Sequence, residues 1–140
     1  MYLLDLISEL TTEQLNKIPE SFNNNIIWNL AHMIAAQQGI CYKRTGVPIV
    51  VTEAFFDSYK PGTKPVGFVD ADGIAVIKAQ LIATINQFEA DLENKELFAN
   101  YTTVMTRYGV ELTSIEDAVS FLPFHDGFHM GYVLALKRLV

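Results

Sequence analysis

Cysteine is almost absent: Cys41 is the only one in 140 residues. No disulfide can form within the chain, and a reducing compartment is the simplest setting. Basic residues are few, ten Lys and Arg against sixteen Asp and Glu, for a net charge of -6. Nucleic-acid binding rests on clustered Lys and Arg, and no such cluster occurs. Lys137 and Arg138 suit instead the negative end of a final helix. Long apolar runs are missing too. None approaches the roughly 18 residues of a membrane helix, and no basic stretch ahead of an apolar core marks a signal peptide. The expectation is a cytoplasmic protein with no nucleic-acid or membrane partner.

What the chain does have is apolar material, 50% of its residues. That is enough for a core without staples, and the length suits a single domain over 1–140. The patterning is helical. Leu3, Leu4, Ile7 and Leu10 mark a first helix from Tyr2 to Leu10, and Thr11-Thr12-Glu13-Gln14 a cap and restart. Asn23, Asn24 and Asn25 are N-cap candidates for a helix from Ile26 to Thr45-Gly46. Within it Ile27, Trp28, Ala31, His32, Ala35 and Ala36 recur at helical spacing. A long connection, 47–68, follows, with Ile49-Val50-Val51 as a brief extended piece and one helical turn at 53–56. Connections of this length are functional or cross between distant elements. Asp70 to Leu92 reads as a helix with Ile77, Leu81, Ile85 and Phe88 inward. Tyr108-Gly109 reads as a turn. Thr113 and Glu116, three apart, have capping-box character ahead of a last helix, 115–139, with Pro123 predicting a kink or restart. The natural architecture is an all-α four-helix bundle with one long crossover.

The last helix carries His125-Asp126-Gly127-Phe128-His129. Histidines four apart lie one above the other on a helix. Phe121, Phe124, Phe128, Tyr132, Val133 and Leu136 are expected on that same buried side. His32 lies on another apolar stripe and completes the chain's three histidines. Three buried imidazoles need partners for six ring nitrogens. A metal satisfies three of them; hydrogen-bonded core histidines are the alternative. HDxxH resembles a zincin motif, but too little chain follows His129 to supply the third ligand. Asp126 is either a solvated carboxylate beside His125 or a group acting at the site, and Tyr132 is placed to bring its hydroxyl near. Cys41 reads as a packing residue, Trp28 as core or pocket wall, Asn24, Asn25 and Asn29 as caps or surface first and pocket polar groups second, Gln37 and Gln38 as surface. Lys43, Arg44 and Arg107 are the candidate anchors for an anionic ligand.

Asn25-xx-Trp28-Asn29-Leu30-Ala31-His32, with His125-xxx-His129-Met130-Gly131 far downstream, resembles the DinB-like superfamily of YfiT-type metalloenzymes. The stretch Leu10 to Pro19 resembles the segment that precedes the first ligand helix there. The likeness spans nearly the whole chain. It departs at Tyr132, where the family often has Gln, and in a shorter first helix. The resemblance implies a four-helix bundle in which His32, His125 and His129 hold one divalent metal (Zn, Ni, Fe or Mn). It also implies a metal-dependent enzyme acting on a small molecule, thiol S-transferase-like with a low-molecular-weight thiol, and a homodimer. Asp126 and Tyr132 are the candidate catalytic groups. A hydrolase activating water, a non-catalytic metal- or ligand-binding bundle in stress response, and a structural dimer with core histidines are the alternatives.

Overall fold

The computed structural model describes residues 2–94 and 96–140. Its centre is helix α3, Ile26–Gln37, all of whose residues are buried. A helix apolar on every side belongs inside a protein, wrapped by others. Here α2 (Thr12–Asn16), α4 (Glu53–Tyr59), α5 (Ala71–Leu92) and α6 (Ile115–Lys137) all pack on it. The Asn25 side chain accepts the Trp28 N–H and so fixes where α3 begins. At its far end the helix widens into a π turn, Gln38–Tyr42, and tightens into a 3-10 turn, Lys43–Thr45. Gly46 closes it at φ 73°, a left-handed conformation that glycine adopts without strain.

The surround corrects one expectation. Gln37 and Gln38 are buried, not at the surface, with Gln38 at 0% exposure. The Gln38 side-chain NH2 donates to Oε1 of Gln37 at 3.0 Å, and its own Oε1 accepts the Val50 N–H at 2.9 Å. The second bond ties the crossover to the end of α3. The extended piece expected there forms no strand, and the single helical turn at 53–56 is a longer helix, Glu53–Tyr59.

The N-terminal helix is shorter than the apolar pattern suggests. Helix α1 covers Tyr2–Leu6, then a turn leads to α2. Thr11 and Gln14 form a capping box there, which stops α1 from running on. These two pieces close the bundle. Leu3 and Ile7 enter the main core. The Asn16 amide donates to the Val69 carbonyl and accepts the Val69 N–H, both at 2.8 Å. Lys137 at the end of α6 donates to the Leu6 carbonyl.

Helix α5 starts on Asp70, whose side chain accepts the Gly73 N–H. It buries Ile74, Ile77, Leu81, Thr84 and Phe88, with Ile85 only half-buried. Between α5 and α6 lies a hairpin that the sequence pattern did not suggest. Val104–Met105 (β1) pairs antiparallel with Glu111–Leu112 (β2), and Gly109 turns the corner at φ 75°. Helix α6 is capped by Ser114, not Thr113, and the partner is Asp117, not Glu116. Thr113 donates its N–H and hydroxyl to Asp117 at 2.8 Å each, so it supports the cap from outside. The helix runs through Pro123 without a restart. Among the described residues no helix is long and apolar enough to cross a membrane.

Candidate metal centre

Helices α3 and α6 bring His32, His125 and His129 together. All three are buried, and one ligand atom from each lies within 4.8 Å of the others. Ring centroids are 4.6 Å apart for His125 and His129, 4.7 Å for His32 and His129, and 5.4 Å for His32 and His125. The i, i+4 pair is set by α6 alone. The third ring depends on how α3 crosses it.

Each ring has one nitrogen already engaged. Nδ1 of His32 lies 2.7 Å from the Tyr59 carbonyl oxygen, which can only accept, so this Nδ1 carries the proton. Nδ1 of His129 lies 2.8 Å from Oδ1 of Asn29. The Asn29 amide is held in that sense because its NH2 donates to the Asn25 carbonyl at 2.7 Å and to Oδ1 of Asn24 at 3.0 Å. Nδ1 of His125 lies 3.1 Å from Oδ1 of Asp126. Three Nδ1–H donors leave three Nε2 lone pairs as the free positions of the cluster. This donor set fits a divalent transition metal: neutral imidazoles, one tautomer, each oriented from behind.

Burial and neighbouring charge keep two of the rings, His32 and His129, neutral. Burial pushes the His32 pKa below its ordinary value, against the Tyr59 hydrogen bond that raises it. Burial, then the neighbouring charges of His125, His32 and Arg107, push His129 down to about 3. A neutral imidazole is the form that binds metal.

Aromatic rings form the walls. Trp28 stacks on His32 at 4.6 Å and 10° between planes. Phe128 meets His129 edge-on at 5.8 Å. Phe124 and Phe128 are not in the buried stripe, being 55% and 52% exposed. At about 100° per residue they sit roughly 60–100° round the helix from His125. There Tyr108, on the hairpin, packs on both, at 5.3 and 5.9 Å.

The remaining expected residues divide. Asp126 is at the cluster as the hydrogen-bond acceptor of His125, its side chain 48% exposed. Tyr132 packs edge-on against Phe22 at 5.5 Å, and none of its ring contacts among the described residues is with a histidine. Cys41 is fully buried, its thiol pushed up to about 12 by burial, as a packing residue should be. Lys43 is occupied by Glu53 at 2.7 Å. Arg107 lies over the Tyr108 ring at 5.8 Å, and its charge reaches His32 and His129. Asn29 takes the second of its two readings, a polar group of the pocket rather than a cap or surface residue, and the Tyr59 carbonyl is the group that sequence reasoning missed. Asn29 had a signal. It lies one turn before His32 on a helix with no polar face, so its amide had to be buried against something polar. A main-chain carbonyl leaves no such mark.

A family model described as the DinB superfamily matches residues 1–133. Neither curated proteins nor solved structures gave a match.

Proposed function

The chain belongs to the DinB superfamily, and from that premise we propose that it is a metal-dependent enzyme whose divalent ion is held by Nε2 of His32, His125 and His129. The observation that carries this reading is the engagement of all three Nδ1 atoms by fixed acceptors. Core histidines stabilised only by hydrogen bonds would have no reason to bring one ligand atom from each ring within 4.8 Å of the others. Zinc, nickel, iron and manganese are the candidate ions, since imidazole suits several and availability selects among them. The chemistry supplied by such an ion is Lewis acidity, which lowers the pKa of a thiol or a water at an open position.

The substrate class we propose is a low-molecular-weight thiol together with an electrophilic small molecule, in a thiol S-transferase-like reaction. Three neutral ligands leave the ion's charge uncompensated, which favours an anionic sulfur over a neutral group. The chain's residues prepare the position. Tyr59, Asn29 and Asp126 hold the imidazoles in one tautomer, and burial keeps His32 and His129 unprotonated near neutral pH. Trp28 and Phe128 wall the rings on two sides. Arg107 adds positive charge beside the rings. We assign Asp126 to positioning His125, and leave the Tyr132 hydroxyl as the further candidate group on α6. The resemblance also brings a homodimer into the proposal, and the buried lone cysteine is in keeping with a cytoplasmic setting.

Elemental analysis of untagged protein beside His32→Ala, followed by a thiol and electrophile panel, tests this. We expect about one transition metal per chain, lost with His32, and thiol-dependent turnover lost in His125→Ala. Turnover that survives metal removal would overturn the enzyme reading. Stoichiometric metal with no turnover would leave a binding bundle.

A further inference from the structure

Where the 47–68 connection crosses the start of α3 there is a cavity of about 190 Å³, lined among others by Asn25, Ile27, Trp28, Tyr59, Lys64 and Phe68. None of the three histidines lines it. Its chemistry is unlike the rest of the molecule. The chain carries a net charge of -6, yet among the described residues no carboxylate lines this cavity and Lys64 is its only charged residue. No carboxylate pairs with Lys64 among the described residues. Asn25, Ile27 and Trp28 belong to the first turn of α3, the positive end of a 12-residue helix.

A second observation asks for a ligand. Trp28 is 6% exposed, and its Nε1 is buried without a hydrogen-bond partner. An indole N–H only donates, so what is missing is an acceptor. Leaving such a donor unpaired is unfavourable, and an acceptor brought by a ligand offsets that cost. Apart from Asn25, Ser58 and Tyr59 the rest of the lining is apolar, with Val66 and Phe68 at the lip, 95% and 63% exposed. The volume of 190 Å³ lies below the ~300–1,000 Å³ usual for drug-sized ligands.

We propose that this cavity is a binding site for a small carboxylate with an apolar body. The carboxylate meets the Lys64 ammonium, the Trp28 N–H and the positive end of α3, and the body lies along Ile27 and Phe68. The site is separate from the metal centre but touches it twice: Trp28 stacks on His32, and the Tyr59 carbonyl accepts its Nδ1–H. It does not depend on a metal being bound.

Trp28 is the only tryptophan in the chain, so its emission reports on the cavity directly. Hexanoate is titrated into the full chain, as purified and after chelation, with hexan-1-ol as the uncharged probe. We expect a saturable change in emission with hexanoate. Binding should be at least about tenfold weaker for hexan-1-ol and for Lys64→Met, which keeps length and removes charge. Hexanoate should bind equally well after chelation and in His125→Ala. Calorimetry on Trp28→Phe, which keeps the ring and loses the N–H, should also show weaker binding. No saturable change, or equal binding by hexan-1-ol or by Lys64→Met, overturns the carboxylate site. Loss of binding on chelation or in His125→Ala overturns its independence. Neither result bears on whether the three histidines hold an ion, which elemental analysis answers alone.

Discussion

Nδ1 of His129 and Oδ1 of Asn29 are 2.8 Å apart, a hydrogen bond between α6 and α3 in which both side chains are buried. Asn29 is 0% exposed, and its own NH2 is held by Asn24 and Asn25. Replacing it with leucine, of similar shape but with no acceptor, leaves the His129 N–H buried and unpaired. We expect Asn29→Leu to lower metal affinity about 10–100-fold, the usual effect of removing a group that orients a ligand. The folded state should lose about 1–3 kcal/mol. Chelator competition and denaturant melts measure the two effects separately; unchanged affinity would remove Asn29 from the centre.

Asp126 holds His125 in the same way but from a different setting. Its side chain is 48% exposed and the bond is longer, 3.1 Å. Water can replace a lost acceptor at an exposed position and cannot at a buried one. Asp126→Ala should therefore weaken metal binding less than Asn29→Leu does, by roughly tenfold or less. Asp126→Asn, which keeps an acceptor, should stay closer to wild type. The reverse order in a competition assay would mean that Asp126 does more than orient the ring.

The difference between these residues explains what was legible in the sequence. The His125 and His129 pair was visible because spacing on one helix fixes it. His32 was visible because an isolated histidine among apolar residues has to face inward. Gln37 and Gln38 read as surface, and Asn29 as surface ahead of pocket, because helical periodicity assumes one wet face, and α3 has none. Phe124 and Phe128 were drawn into the buried stripe because aromatic character stood in for direction; a short hairpin puts Tyr108 against them instead. Two-residue strands carry too little alternation to be seen. The all-α fold was legible, since α5 and α6 are long and capped, while the break between α1 and α2 turned on one capping box.

Metal should stabilise the chain, because the three nitrogens converge only in the folded state. Free metal at 100 times its dissociation constant adds about 2.7 kcal/mol. For a chain of 140 residues that is a rise in Tm of roughly 5–12 °C. Chelation should remove the rise, and His125→Ala should show none when zinc or nickel is added. Equal melting with and without chelator in wild type would make the histidines core residues.

The metal-free protein should lose stability in acid through its histidines. Unfolded, His32 and His129 titrate near 6.5. Folded, burial holds both lower, His129 at about 3. Below 6.5 the unfolded chain therefore binds more protons than the folded one, and stability falls with pH. The contribution is fully present above about pH 7 and drains away as pH drops toward 3, at up to about 1.4 kcal/mol per pH unit for His129 alone. Replacing His129 with glutamine, which keeps a polar side chain but does not titrate, should flatten the curve between pH 6.5 and 4. Added metal should steepen it, since protons then compete with the ion for the same nitrogens. Denaturant melts across that range, with and without metal, give both slopes. An identical slope in His129→Gln would mean that carboxylates, not the buried rings, set the acid limit.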